Sequence, residues 1–331
     1  MNLKPIAESI KSYVGVKRKT PIVEVTRRMK STISAAIPFG AKVIESFGED
    51  CAVIDIGYKD NYLLFKAEEI WDRLIDADPT FAGYCSVLVS VNDITAKGGT
   101  PIAMVNTLAA TSSDIRNKIV EGITEGCSKF NVPMVGGHLS PEASANRLSV
   151  SIIGMVRKKS LIRSNTAQPD DLIIAAVDLD GRFHKAFKTA WDTTTHKSKA
   201  EVEDRLRAMR EIAKDNLATA AKDISNPGIV GTLGMLLDSS NLGGEIDLTN
   251  IPKPPGVDMD QWLKAYPGFG VILTSDPKKA DQCVSILSKH GVVSKLIGKV
   301  VNSRKLLISD GESSVEVFDF NIDKLSGKPS D

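Results

Sequence analysis

The sequence predicts a mixed α/β protein of two domains. Helical and strand periodicities alternate along the chain. One pair of strands reads as a hairpin rather than a parallel crossover, and 331 residues suggest about two cores. With 42% hydrophobic and 25% charged residues the composition is that of an ordinary soluble protein. Lys and Arg number 42 against 41 Asp and Glu, a net charge of +1. That balance supplies no general field for nucleic acid or a membrane surface, so any bound anion must be held by local groups. Cys51, Cys85, Cys127 and Cys283 show no C-x-x-C spacing and read as reduced thiols. No apolar run approaches the roughly 18 residues of a spanning helix, and Met1 to Lys19 lacks an apolar signal core. The expectation is a soluble, cytoplasmic protein.

Residues 1 to 46 read as a helical packing arm, with Ile6, Ile10, Tyr13 and Val14 and then Val23, Val25, Met29 and Ile33 at helical spacing. Gly48 opens a turn carrying Glu49 and Asp50. Ala52 to Ile56 and Tyr62 to Glu68 then form the hairpin, turned at Asp60-Asn61. Val87 to Val91 is an apolar run that fits either a strand or a buried helix. It delivers Asn92-Asp93, after which Gly98-Gly99 lets the backbone turn and Pro101 restarts an apolar segment, Ile102 to Leu108. Asp114 to Phe130 reads as a helix capped by Asp114 and ended by Asn131. Val132 to Val135 is a short strand that delivers Gly136-Gly137-His138, and Leu148 to Val156 is another.

A basic linker, Arg157-Lys158-Lys159, marks a domain boundary near 159/160. Beyond it, Asp171 to Val177 is a strand, 178–198 is polar and irregular, and Lys199 to Ala221 is a long helix. A further helix spans Val230 to Ser240, Val271 to Thr274 is a strand, and helix Pro277 to His290 and strand Val292 to Val300 close the domain. The tail from Lys324 is expected to fray.

No G-x-x-x-x-G-K-[ST] loop and no G-x-G-x-x-G turn occurs. Asp178-Leu179-Asp180-Gly181 opens like a calcium loop, but its Gly comes too early. What remains is a set of acids on turns and strand ends: Asp50, Glu68 and Asp93. Hard carboxylate oxygens in that number suit Mg²⁺, which shares itself with substrate phosphates. Gly136-Gly137 either presents backbone N–H groups to a phosphate or makes a tight turn, and His138 alone fits a hydrogen-bonded structural histidine.

The joint order of these segments resembles a known family. Gly48-Glu49-Asp50-Cys51-Ala52-Val53, Asn92-Asp93-Ile94 through Gly98-Gly99 and Pro101, and Gly136-Gly137-His138 resemble the N-terminal half of the aminoimidazole ribonucleotide (AIR) synthetase superfamily. That group, of PurM-like fold, also holds thiamine-monophosphate kinase and selenophosphate synthetase. Asp223-Ile224-Ser225-Asn226-Pro227-Gly228 resembles the opening of its C-terminal half. Within it, segments such as Asp178 to His184 and Tyr266-Pro267-Gly268-Phe269-Gly270 resemble the AIR synthase-related, methanogenesis marker 2 type.

The resemblance implies a PurM-like fold of mixed sheets: an N-terminal ATP-binding domain over 47–159 and a C-terminal domain over 160–331. N-terminal strands of two subunits would form a barrel at a homodimer interface. It implies ATP and Mg²⁺ in a cleft, with Asp50, Glu68 and Asp93 on the metal. Gly48, Asp50, Gly98, Gly99, Gly136, Gly137 and Asn226 would stand on the nucleotide side, and Asn92, Asp93 and His138 at the chemistry. It implies an ATP-dependent phosphotransferase or synthetase acting on a small-molecule or protein-bound acceptor. Two departures bear on the alternatives. Asn226 stands where the kinase branch carries an acid, and no Cys precedes Cys51 as the selenophosphate branch requires. A thiamine-monophosphate kinase or a non-catalytic ATP-binding scaffold are the alternatives. Asp178 to Thr195 reads as either the acceptor lining or a surface loop.

Overall fold

The computed structural model describes residues 1–33, 40–266 and 268–328. Its first half places helices α1 (Leu3–Ser12), α2 (Val14–Lys17) and α3 (Ile22–Ile33) before strands β1 (Lys42–Glu45), β2 (Ala52–Asp55) and β3 (Asn61–Glu69). Helices α4 (Asp72–Ala77) and α5 (Pro79–Ala96), strand β4 (Thr100–Ala109), helix α6 (Ser113–Phe130) and strands β5 (Met134–Ser140) and β6 (Arg147–Arg157) follow. These six strands make one sheet in the order β1-β2-β3-β6-β4-β5, antiparallel except for the β4–β5 pair.

The second half contains β7 (Leu172–Val177), β8 (Arg182–Phe183), β9 (Trp191–Asp192), α7 (Lys199–Lys214), β10 (Ala220–Asp223), α8 (Gly228–Ser239) and β11 (Gly243–Asp247). It continues with α9 (Met259–Trp262), β12 (Gly270–Ser275), α10 (Ala280–Lys289), β13 (Val293–Val301), β14 (Lys305–Ser309) and β15 (Ser314–Asp319). Its seven-stranded sheet runs β10-β12-β7-β13-β11-β14-β15, and β8 pairs with β9 alone.

Strand β7 shows how this sheet is covered. Ile174 and Ala176 join the core shared with α5, α6, α7 and α10, whereas Ile173, Ala175 and Val177 join the core shared with α8 and α1. A strand buried on both faces reads as a continuous apolar run, as Leu172–Val177 does. Among the described residues, α5 packs on one face of the six-stranded sheet, α6 packs on α5, and no helix covers the other face.

The apolar run at 87–91 resolves as helix. Asp78 caps it by accepting from the Phe81 N–H at 2.9 Å, Pro79 occupies the first turn, and the element is 18 residues long, beyond ordinary strand length. It is apolar nearly all round and correspondingly buried. The Ser86 and Ser90 hydroxyls satisfy themselves by donating back to the carbonyls of Gly83 (2.7 Å) and Ser86 (2.8 Å). Helices α5 and α6 approach so closely that a Cβ on Gly122 would lie 1.8 Å from the Thr80 carbonyl oxygen.

Several expectations are corrected. The arm over 1–46 is helical but ends in strand β1, and residues 34–39 lie outside the described residues. Ser112, not Asp114, caps α6, because its hydroxyl reaches the Ile115 N–H while Asp114 pairs with Lys118 at 2.8 Å. The expected helix to Ala221 stops at Lys214. Asn216 takes a left-handed conformation there (φ 51°), and residues 220–223 form a strand. Gly136 and Gly137 lie inside extended β5 rather than in a turn. Val300 does not close the second half, since β14 and β15 follow and β14 pairs with β11 in parallel. The tail is packed through residue 328: Leu325 is buried, and the Leu325 and Ser326 N–H groups both donate to Asp238 Oδ2 at 3.0 Å. Residues 329–331 and Pro267 lie outside the described residues.

The α5–α6 contact yields a test. Gly122→Ala forces backbone against backbone, so denaturant unfolding should show a loss of about 2–3 kcal/mol.

Candidate active site

A cavity of about 560 Å³ lies where the two halves meet. Four elements aim carboxylates at it. Asp50 sits on the turn before β2, which Gly48 enters with φ 96°, a value that favours glycine. Glu68 is on β3, two residues from Lys66 and therefore on the same side of the strand. Asp93 is in the last turn of α5, and Asp223 ends β10. The helix dipole disfavours an anion at that end of α5, so Asp93 needs a local cation. One oxygen each of Asp50, Asp93 and Asp223 lie within 4.8 Å of one another, and all three residues are buried.

Buried anions this close require compensation. Lys66 supplies it at 2.8 Å from Asp93 and 3.1 Å from Glu68, and Lys222 pairs with Asp50. Lys97, the residue that caps the end of α5, is fully buried. Its ammonium stands 3.0 Å from Asp50 and 3.1 Å from Glu49, and it donates to Ser164 Oγ (2.6 Å) and the Ala221 carbonyl (2.8 Å). One lysine thus ties the N-terminal acids to the second half.

The field splits the acids' behaviour. Burial opposes ionisation of Asp50, but Lys222 and Lys97 outweigh it and hold its pKa at about 2. For Asp93, burial dominates, the charges of Asp223 and Glu68 add to it, and its pKa is pushed well up despite Lys66. Burial and the Asp50 charge raise Asp223 to about 6. Burial also works against Glu68, yet Lys66 and Lys19 leave it below the usual range. Two carboxyls pushed up beside two held down make the four acids one interacting cluster.

The cavity gathers Gly48, Asp50, Glu68, Asn92, Asp93 and Asn226 of the residues expected from sequence. The Asn92 amide donates to the Gly268 carbonyl at 2.8 Å. Gly98 and Gly99 do not line it. A Cβ on Gly98 would meet Ala213 Cβ at 2.3 Å and one on Gly99 would meet Leu64 Cδ1 at 2.4 Å, so these glycines serve close packing behind the site. Gly136, Gly137 and His138 lie on β5, exposed and outside the cavity. Nor do residues 178–195 line it. Asp192 accepts from the Thr194 and Thr195 N–H groups, Asp178 pairs with Arg205 at 3.1 Å, and the polar segment is consumed by its own contacts.

Asp223, Lys19, Lys66, Lys97 and Lys222 are the residues that sequence reasoning missed. A strand reading of 220–223 would have exposed Asp223 as a carboxylate at a strand end, like Glu68.

The donor set fits Mg²⁺. Its oxygens are hard, and Asp50 Oδ2, though ion-paired with Lys97, receives no well-directed hydrogen bond, so a lone pair remains for a cation. The two mixed sheets and their helices make an α/β protein whose halves share one acid-lined cavity. The family models for the AIR synthase related protein N-terminal and C-terminal domains match residues 48–156 and 169–310, and the chain belongs to that family. An uncharacterized protein of Methanocaldococcus jannaschii is 42% identical over 327 residues, covering 99% of this chain and all of that one. Among solved structures, Thermotoga maritima PurL complexed with ADP matches with TM-score 0.72 at 20% identity over 87% of this chain and 48% of that one. The chain therefore spans about half the length of PurL. AaThiL complexed with AMPPCP and TMP matches with TM-score 0.65 at 16% identity, over 89% and 96%. The mixed α/β, PurM-like fold is the one these structures share.

Asp223 carries a pH signature. Its folded pKa lies above the unfolded value, so it contributes stability at low pH that is lost as pH rises through about 6. Unfolding free energy of the wild type minus that of Asp223→Asn should fall between roughly pH 4 and 6. A difference that rises over that window assigns the opposite charge environment.

Proposed function

We propose that this protein is an ATP- and Mg²⁺-dependent phosphoryl-transfer enzyme that activates an oxygen atom on a small-molecule or protein-borne acceptor. The observation that carries the reading is the convergence of Asp50, Asp93 and Asp223, with Glu68 beside them, on one cavity walled by lysines. Asp50, Asp93 and Asp223 would hold the metal. Bound Mg²⁺ would neutralise the triphosphate, which otherwise repels an incoming oxygen nucleophile.

The chain's own groups do the rest. Lys66 and Lys222 pair with the carboxylates now and are placed to pair with phosphate oxygens once a cation takes those carboxylates. Lys97 is locked by four partners and keeps Asp50 ionised and in place. Asn92, held by Gly268, offers an amide wall that adds no charge. Catalysis of this kind is positioning and electrostatics, without a covalent enzyme intermediate. Cys51 and Cys85 line the cavity, but burial pushes both thiols well up, which removes them as nucleophiles.

Thiamine-monophosphate kinase is the second reading; the neutral Asn226 weighs against it. A scaffold that binds without turnover is the third, and the retained acids weigh against that.

The outer face of the six-stranded sheet supports a homodimer. Ile102 and Val105 on β4 and Val135 on β5 are 41%, 43% and 65% exposed on a face that no described helix covers. Pairing two such faces would also bring a second β5, with Gly136, Gly137 and His138, toward the assembly's interior.

Two measurements follow. Magnesium with ATP should raise the melting temperature of the wild type, and Asp93→Asn should weaken that binding at least about tenfold while the chain stays folded. An unchanged Asp93→Asn titration removes Asp93 from the metal site. Val135→Glu should convert a dimer to a monomer in sedimentation; a wild type that sediments as a monomer removes the dimer.

A further inference from the structure

The cavity that holds the carboxylates is mostly apolar elsewhere. Ile22 of α3, Trp71 and Leu74 at α4, Val89 of α5 and Met235 of α8 contribute to its lining. A site for a metal and phosphates alone needs no such surface, and about 560 Å³ is the size of a pocket for a whole small molecule. The N-terminal arm forms one wall, and two contacts hold it there. The Arg18 guanidinium stands 4.9 Å from the Trp71 ring centroid, and Gly327 packs so near that an added Cβ would lie 2.8 Å from Ile22 Cγ2.

On that arm Lys19 lines the cavity, and its ammonium makes no ion pair or hydrogen bond with any described residue. Lys66, Lys97 and Lys222 are each paired with an acid. Lys19 feels the Glu68 charge at longer range but has no close partner, and such a cation beside apolar surface leaves room for an anionic ligand. The surrounding acids repel a dianion more than a monoanion, which favours carboxylate over phosphate at this position.

We propose that this lining is the acceptor pocket, and that it takes a small monocarboxylic acid with an apolar, ring-bearing body whose carboxylate pairs with Lys19. The inference rests on the phosphoryl-transfer reading and concerns binding alone.

Anilinonaphthalene sulfonate, an aromatic body with one anionic group, is the probe, followed by its fluorescence on the full-length chain. The dye should bind at a single site per chain. Lys19→Ala, which removes the cation, and Val89→Trp, which fills the space, should each weaken it at least about fivefold, with circular dichroism confirming the fold. Phenylacetate should displace it, whereas acetate and phenylethanol at equal concentration should not. Magnesium with a non-hydrolysable ATP analogue should leave it bound.

Four results overturn the inference. Unchanged dye affinity in both variants, or its loss in Val135→Glu, places the dye on the exposed sheet face. Displacement by the ATP analogue makes the pocket the nucleobase's. Equal displacement by phenylethanol removes the anion. None of these touches the phosphoryl-transfer reading, which fails separately if ATP with magnesium does not stabilise the wild type.

Discussion

The structure depends on holding like charges together. Asp50, Asp93 and Asp223 bring oxygens within 4.8 Å of one another in a buried site, an arrangement that is unstable unless cations share it. Lys66, Lys222 and Lys97 are those cations, and each comes from a different element: a strand of the first sheet, an edge strand of the second and the end of α5. The halves of the chain are thereby joined through charge as well as through the continuous apolar core that runs from α5 and α6 to α7 and α10. Removing one member would strand a buried charge, which is costlier than never having built the pair.

That constraint explains where the site lies. Rigid elements deliver each acid: a glycine-opened turn, a strand end, a helix end and a second strand end. Their side chains therefore converge on positions fixed by the scaffold. The segments with more conspicuous chemistry in the sequence lie elsewhere. The polar stretch 178–195 is tied up in its own turns and in pairs with neighbouring helices, and the Gly136-Gly137-His138 strand lies exposed at the edge of the first sheet.

Much of this was legible from residues alone. The hairpin at 52–68, the helix at 113–130 and the strand at 172–177 announce themselves by alternation, capping and apolar runs. Asp50, Glu68 and Asp93 stood out as acids on turns and element ends, and the structure puts all three on one cavity. Local pattern failed where a long-range contact decides. Gly98 and Gly99 look like a ligand loop, yet they are small because Ala213 and Leu64 press on them from distant segments. Residues 220–223 continue a helical rhythm, but left-handed Asn216 breaks it and the pairing with β12 makes a strand. Asp223 stood in the Asp223-to-Gly228 segment but was given no metal role, because nothing local places it beside Asp50 and Asp93. The lysines were invisible for a different reason: a lysine's ordinary place is the solvated surface, and only folding shows Lys97 fully buried.

Manganese, whose spin reports its own immobilisation, tests the central claim most directly. Electron paramagnetic resonance of the full-length chain with Mn²⁺ and a non-hydrolysable ATP analogue should show an immobilised ion that Asp50→Asn releases. A spectrum of free Mn²⁺ in the wild type, with the analogue present and the protein folded, would contradict the account: the acids would then be a structural ion-pair network and nothing more.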